Sequence, residues 1–231
     1  MVLKRKKFQN TVRNLIAYKQ PKSPVSEQYR NVRTNIQFAS VDTDIRSFVV
    51  TSSSPAEGKT TTTANLAVVF AQQGKKVLLV DGDMRKPTLH TMFGVDNVFG
   101  LTSVLSKQNT FEKCVRKTDV DNLDFLPCGA IPPNPAELLG SSKMEELLHE
   151  LYNKYDLVII DTPPVLAVTD AQVLANLADG IVMVVRSGQT EKEAAVKAKG
   201  LLQNAKGKLL GVVLNAKVLK DGEYYYYGSQ Q

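Results

Sequence analysis

Residues 53–60 contain the side chains and the spacing of a phosphate-binding loop, with serine in place of its first glycine. In such a loop, backbone N–H groups at the start of a helix surround the β-phosphate of a nucleotide. A lysine placed like Lys59 reaches the β and γ oxygens, and a hydroxyl placed like that of Thr60 holds a magnesium ion. The segment therefore predicts a site for a nucleotide with Mg2+. The predicted nucleotide contacts within it are Ser53, Ser54, Pro55, Ala56, Glu57, Gly58, Lys59, Thr60 and Thr61.

Three aspartates accompany apolar runs that are typical of strands. Asp81 and Asp83 follow 76–80, and Asp161 follows 157–160 and precedes Thr-Pro-Pro. Open parallel sheets bind ligands at the carboxyl ends of their strands, so the three acids are expected at one edge. Carboxylates there can hold magnesium or accept a proton from an attacking hydroxyl. Taken alone, an Asp-x-Asp after a strand is also typical of a helix cap or a turn.

The elements that must position these residues alternate between strand-like and helix-like runs. Several strand-like runs lack polar alternation, which is typical of strands covered on both faces of a parallel sheet. Helical runs between them supply the crossovers. The predicted fold is α/β, a doubly wound, mostly parallel sheet with helices on both faces. Its strands are predicted at 47–51, 76–80, 123–126, 156–160, 180–185 and 209–214, and its helices at 58–73, 143–152, 170–177 and 190–205.

Composition excludes several classes of protein. With 43% hydrophobic and 23% charged residues, the chain is typical of a globular domain rather than a disordered or collagen-like one. Cys114 and Cys128 have neither zinc nor redox-motif spacing, which favours a reducing compartment. Apolar runs stay far short of the roughly 20 residues that span a bilayer. Neither a membrane span nor a signal peptide is expected.

The two ends of the chain differ from its middle. Residues 1–26 contain seven lysines and arginines and no acid, in a chain whose net charge is +6. We predict a basic leader at 1–25, one domain at 26–222 and a tyrosine-rich tail at 223–231. A basic leader can bind an anionic membrane surface or nucleic acid, or be a solvated tail, and the sequence leaves these alternatives open.

Two surface patterns stand near these ends. Ser26 is predicted to cap a helix on which Glu27, Arg30 and Arg33 follow at steps of three, so that they project to nearly one side. Taken alone, these charges are typical of an intrahelical ion pair. Four consecutive tyrosines lie in a tail without hydrophobic periodicity, which predicts phosphorylation sites or, alternatively, a patch that contacts a neighbouring subunit. The tyrosines are Tyr224, Tyr225, Tyr226 and Tyr227.

The motifs together resemble those of the bacterial tyrosine kinases of the Gram-positive capsule or exopolysaccharide type. The resemblance implies a P-loop fold, ATP-dependent phosphorylation of protein tyrosine with Mg2+, autophosphorylation of the terminal tyrosines, and control of capsule or exopolysaccharide synthesis or export. It extends from Glu27 to the tyrosine cluster. The matching segments are Walker A at 53–60, Walker A′ at 78–85, Walker B at 157–164 and the helix motif at 27–33.

The resemblance also implies partners. Glu27, Arg30 and Arg33 would join subunits into a ring-shaped homo-oligomer, and the cytoplasmic tail of a separate membrane protein would dock on the kinase and activate it. Protein tyrosine substrates and a cognate phosphatase are further expected partners, whereas nucleic acid is not. The expected location is the cytoplasm, at the inner face of the membrane through the activator.

The resemblance assigns roles to the site residues. Lys59 and magnesium would offset charge on the γ-phosphoryl group, and Thr60, Asp83 and Asp161 would form the metal site. Asp81 is the first choice for the group that accepts the tyrosine proton, although Asp81 and Asp83 can exchange roles without any change in the pattern. The predicted catalytic residues are Lys59, Asp81, Asp83, Arg85 and Asp161.

Two other functions compete with this interpretation. A partitioning or MinD-like switch ATPase carries an extra lysine near the start of the loop, where this chain has Ser54 and Pro55. A scaffold that binds ATP without transferring phosphate is the second alternative, and the presence of all three aspartates makes it less favoured. GTP is not expected, because Asn215 is followed by Ala-Lys-Val rather than by the Lys-x-Asp of a guanine site. Asn215 is predicted to contact adenine, although an asparagine there is equally typical of a turn.

Overall fold

The structure, a computed structural model, describes residues 15–39 and 44–218. Seven strands in this part of the chain form one sheet, which confirms the predicted fold class. The strands are β1 (Ser47–Ser52), β2 (Val77–Asp81), β3 (Arg116–Lys117), β4 (Leu123–Leu126), β5 (Leu157–Asp161), β6 (Gly180–Arg186) and β7 (Lys208–Asn215). Their order is β3-β4-β2-β5-β1-β6-β7, and each pairing is parallel except that of β3 with β4.

Helices cover both faces of this sheet. They are α1 (Ile16–Lys19), α2 (Pro24–Ala39), α3 (Lys59–Ala71), α4 (Leu89–Phe93), α5 (Leu101–Leu105), α6 (Phe111–Cys114), α7 (Pro135–Leu139), α8 (Ser142–Tyr152), α9 (Asp170–Ala175) and α10 (Lys192–Gln203). Helices α1 to α4 contribute to one apolar core, and α5 to α10 contribute to the other. Successive β1 residues alternate between the two cores: Val49 packs with one and Val50 with the other.

The predicted cap at Ser26 is wrong. Helix α2 begins at Pro24, so Ser26 lies inside its first turn and is buried. Ser23 Oγ accepts the backbone N–H of Ser26 at 3.2 Å, which is the contact that a capping side chain makes. Ser26 Oγ instead donates to the carbonyl oxygen of Gln20 at 2.6 Å. Proline is favoured at the first position of a helix, and the helix accordingly starts earlier than predicted.

Three further expectations concern the membrane, the cysteines and the chain ends. Among the described residues, no helix has the length and apolarity that crossing a membrane requires. Cys114 and Cys128 are buried free thiols. Residues 1–14 of the predicted leader and the whole predicted tail, with its four tyrosines, lie outside the described residues.

Candidate active site

The predicted phosphate-binding loop connects β1 to α3. Strand β1 is buried along its length, the chain leaves it at Ser53, and α3 begins at Lys59. Gly58 has a φ of 91°, a left-handed conformation that glycine adopts readily. A Cβ atom at Gly58 would lie 2.0 Å from Asn215 Nδ2, so a larger residue there would displace the Asn215 side chain. The first N–H groups of α3 lack helical partners, an arrangement that suits an anion beside this turn.

Four predicted site residues converge at this helix start. Lys59 Nζ lies 3.0 Å from Asp83 Oδ2 and 3.6 Å from Asp161 Oδ2. Thr60 Oγ1 donates to Asp161 Oδ2 at 2.7 Å, and Thr63 Oγ1 donates to Asp161 Oδ1 at 3.1 Å. The structure thus brings the loop lysine, the loop hydroxyl and two of the three acids together, while their catalytic roles stay predictions.

The oxygens of this cluster fit a magnesium ion. Thr60, Asp83 and Asp161 offer one hydroxyl and two carboxylates, and magnesium in nucleotide sites is commonly held by one or two carboxylates together with phosphates and waters. Among the described residues, no three His, Cys, Asp or Glu side chains form a closed metal cluster. The donor set therefore suits a cation that nucleotide phosphates help to hold.

Buried charges in this cluster shift one another's pKa values. Burial lowers the pKa of Lys59, but the carboxylates of Asp161 and Asp83 outweigh that effect and raise it above its usual value. Burial raises the pKa of Asp161, against the opposing effects of Lys59 and Thr60. The lysine is thus held as a cation, whereas the charged form of Asp161 is disfavoured until another cation approaches it.

Asp81 lies fully buried at the end of β2, with both carboxylate oxygens facing backbone donors. Its Oδ1 accepts the N–H of Asp83 at 3.3 Å, and its Oδ2 accepts the N–H of Leu89 at 3.2 Å. Burial, with the charges of Asp161 and Asp83, raises the pKa of Asp81 well above its usual range. A raised pKa suits a proton acceptor, and the backbone contacts also give Asp81 a part in shaping the loop. Its assignment as the base stays a prediction.

Arg85 makes an ion pair that the sequence analysis missed. Its Nε and Nη2 each lie 2.9 Å from an oxygen of Asp170, the fully buried first residue of α9. Such a bidentate pair fixes the geometry of both side chains. The N–H of Arg85 also lies 3.3 Å from Asp83 Oδ1 and that of Lys86 3.0 Å from it. In this structure Arg85 therefore joins α9 to the loop that carries Asp83, and a direct catalytic role stays a prediction.

A second set of contacts that the sequence analysis missed surrounds Glu57. This residue is 2% exposed, and its carboxylate accepts from Ser53 Oγ at 2.9 Å and from Thr190 Oγ1 at 2.6 Å. Arg186 Nη1 donates to the carbonyl oxygen of Ala56 at 3.0 Å. Thr190 lies 133 residues from its partner, so no local pattern pointed to it.

Asn215 lies at the end of β7 against the same loop. Its Nδ2 donates to the carbonyl oxygen of Glu57 at 2.9 Å, and its Oδ1 accepts the N–H of Ala216. The residue therefore has the turn contact that its sequence also allowed, together with a contact to the loop. Its predicted contact with adenine is untested.

Comparisons with known proteins identify the family. The sequence profile described as an AAA domain matches residues 49–206, more than half of the chain. Tyrosine-protein kinase YwqD of Bacillus subtilis is 57% identical over 231 residues, which cover all of this chain and 98% of that protein. The chain belongs to the bacterial tyrosine kinases of the Gram-positive type. The kinase is also 44% identical over 222 residues to the putative tyrosine-protein kinase CapB of Staphylococcus aureus, covering 96% of the kinase and 97% of CapB.

Solved structures show the same fold. The chimerical protein CapA2B2 is 47% identical to the kinase with a TM-score of 0.87, covering 89% of the kinase and 91% of that chain. The septum site-determining protein MinD of Pyrococcus horikoshii, solved with Mg-ADP, is 30% identical with a TM-score of 0.63, covering 73% of the kinase and 69% of that chain. The sheet is therefore common to tyrosine kinases and to a division-site protein, so the fold alone does not separate their functions.

The three charged residues of the helix motif have different partners in the kinase. Glu27 and Arg30 form an exposed intrahelical ion pair with an N–O distance of 2.6 Å. Arg33 instead donates through Nη1 to the carbonyl oxygen of Val69 in α3, at 2.8 Å. Glu27 and Arg30 are thus accessible to a second subunit, while Arg33 also holds α2 against α3. The predicted subunit contact is untested.

Proposed function

We propose that the chain transfers the γ-phosphoryl group of ATP to protein tyrosine, starting with its own C-terminal cluster. The observation that supports this most strongly is the convergence of Lys59, Thr60, Asp83 and Asp161 at the start of α3. Relatives that match nearly their whole length to this chain are named tyrosine-protein kinases.

Lys59 is the residue proposed to bind the transferred group. Its ammonium group now pairs with Asp83 and Asp161. Thr60, Asp83 and Asp161 would hold magnesium, which neutralises charge on the phosphates. Lys59 would contact the β and γ oxygens of ATP, where charge develops during transfer.

The acceptor tyrosine must lose its proton during transfer. A phenol has a pKa of about 10, and a loose transition state requires only partial deprotonation, so a carboxylate suffices as acceptor. Asp81 is proposed for this role because its pKa is raised. It is also the last residue of β2 and therefore lies at the same edge of the sheet as Asp161. Asp83 remains the alternative, since it is the more accessible of the two, with 6% exposure against 0%.

The proposal includes partners and a cellular role. We propose a ring of subunits, activation by the cytoplasmic tail of a membrane protein, a cognate phosphatase, and regulation of capsule or exopolysaccharide synthesis or export. An exposed apolar groove between α2 and β7, lined by Val32, Val212 and Leu214, offers a surface for such a tail. Light scattering checks the ring: mass that increases with concentration supports it, and a monomer mass throughout contradicts it.

The competing function is that of a MinD-like switch ATPase, with which the shared fold is also compatible. Ser54 and Pro55 stand against it, because they occupy the region where such ATPases carry an additional lysine. This alternative predicts hydrolysis of ATP without phosphate on the protein.

Phosphorylation is expected at the C-terminal tyrosines. The full chain is incubated with ATP and magnesium, and modified residues are located by mass spectrometry. We expect phosphate on Tyr224, Tyr225, Tyr226 and Tyr227, because these tyrosines lie in a segment without the hydrophobic periodicity of a packed element. The control replaces the four tyrosines by phenylalanine and should retain ADP affinity. Phosphate confined to other residues would contradict the proposed acceptor.

A further inference from the structure

We infer that Thr190 is a positioning residue for the phosphate-binding loop, which it holds in the nucleotide-binding conformation before the nucleotide arrives. The inference rests on the proposed function, since it concerns the site at which ATP would bind. It assigns a role to the segment between β6 and α10, to which no motif of the chain belongs. Thr190 acts through Glu57, which precedes the Gly58-Lys59-Thr60 turn.

The Thr190 hydroxyl connects two parts of the chain. Its Oγ1 donates to Glu57 Oε1 at 2.6 Å and accepts the backbone N–H of Arg186 at 2.8 Å. A threonine hydroxyl has one hydrogen, so its donor capacity is fully used by Glu57. The backbone at the end of β6 is thereby attached to the Glu57 side chain through this oxygen.

Glu57 has particular need of this donor. Its carboxylate is buried, and a buried charge is costly unless hydrogen bonds satisfy it. Ser53 Oγ lies 2.9 Å from both oxygens, so its one hydrogen is shared between them. No lysine or arginine forms an ion pair with Glu57 among the described residues. Without Thr190, one shared hydrogen would remain for the side chain of a buried acid.

The backbone before Glu57 also requires support. Ala56 has a φ of 65°, a left-handed conformation that residues other than glycine adopt at a cost. Arg186 Nη1 donates to the Ala56 carbonyl, and Asn215 Nδ2 donates to the Glu57 carbonyl. The ends of β6 and β7 are themselves linked, because Ser187 N donates to the Asn215 carbonyl at 2.9 Å. Thr190 therefore completes a clamp in which two strand ends hold the loop.

The clamp has a measurable consequence for nucleotide affinity. If only a fraction of molecules has the binding conformation, the observed dissociation constant increases by the inverse of that fraction. A hydrogen bond to a charged group is strong enough to change such an equilibrium about tenfold. Loss of the hydroxyl is thus expected to weaken ADP binding while the contacts of Lys59 and Thr60 remain available.

The test compares Thr190→Val, which keeps the shape but removes the hydroxyl, with Thr190→Ser, which keeps the hydroxyl. ADP is titrated calorimetrically into the full chain at constant magnesium. We expect about tenfold weaker binding by Thr190→Val and binding within about threefold of the parent by Thr190→Ser. Urea unfolding of each variant separates this effect from loss of the fold.

A double-mutant cycle tests the route through Glu57. In a Glu57→Gln background, Thr190→Val is expected to cost less affinity than in the parent. Arg186→Met removes the contact to the Ala56 carbonyl and should also weaken ADP binding. This variant serves as the test if Thr190→Val does not fold. The inference is overturned if folded Thr190→Val binds ADP with the affinity of the parent. It is also overturned if Thr190→Val and Thr190→Ser lose affinity equally. If only Arg186→Met folds, parent-like ADP affinity in that variant overturns the inference. If the parent itself does not bind ADP, the proposed function fails instead.

Discussion

Replacement of Lys59 by methionine is expected to reduce tyrosine phosphorylation about a hundredfold to a thousandfold, since it removes a preorganised charge from the phosphates. The chain should still fold, because Lys59 contacts two carboxylates rather than the apolar cores. Asp161 would keep its hydrogen bonds from Thr60 and Thr63. Phosphotyrosine is measured after incubation with ATP and magnesium, and urea unfolding verifies the fold.

Two controls make this result specific. Lys199→Met removes an exposed lysine of α10 and should leave phosphorylation unchanged.

The Lys59→Met chain also keeps its tyrosines, so it should be phosphorylated by active chains whose four tail tyrosines are phenylalanine. The segment from Asn215 to Tyr224 extends at most about 32 Å, which allows transfer to a neighbour. Parent-like activity in Lys59→Met would contradict the assignment of the loop.

Replacement of Asp161 by asparagine is expected to cause the second large loss. The variant keeps the shape of the side chain but removes the charge that faces Thr60 Oγ1 and Lys59 Nζ. Nucleotide affinity should lose its dependence on magnesium, and turnover should fall at least about a hundredfold. Calorimetry with ADP, with and without magnesium, measures the first effect.

The matched control for this prediction is Asp81→Asn, which should retain the magnesium dependence, since Asp81 faces backbone N–H groups instead. Burial raises the pKa of Asp161, so the folded state disfavours its charged form. An acid whose pKa is higher in the folded state than in the unfolded state lowers the free energy of unfolding once the pH is above its folded pKa. Removal of the Asp161 charge is therefore not expected to lower the free energy of unfolding at neutral pH. Unchanged magnesium dependence in Asp161→Asn would contradict its place at the metal.

The predictable part of the site is the part encoded in local sequence. The buried strand, the loop with glycine and the following helix are contiguous in sequence. The structure of residues 53–60 was therefore predictable from local sequence. The acids were predictable because parallel strands end at one edge. Asp81 and Asp161 are indeed register partners in neighbouring strands.

The rest depends on pairs that no local pattern connects. Arg85 and Asp170 are 85 residues apart, and Glu57 and Thr190 are 133 apart. Neither pair lies on a periodic run, so only the folded chain shows which donors meet these buried acids. The cap at Ser26 was wrong for a different reason: Ser23 is an equally good capping residue, and Pro24 decides between them.

The measurement that tests the central claim most directly is the fate of the γ-phosphate. The full chain is incubated with ATP labelled in that group, and label is counted on protein tyrosine and in free phosphate. We predict that label accumulates on the chain's tyrosines and that the four-phenylalanine variant loses this label while still binding ADP. Consumption of ATP with all of the label released as free phosphate would contradict the account and identify a switch ATPase.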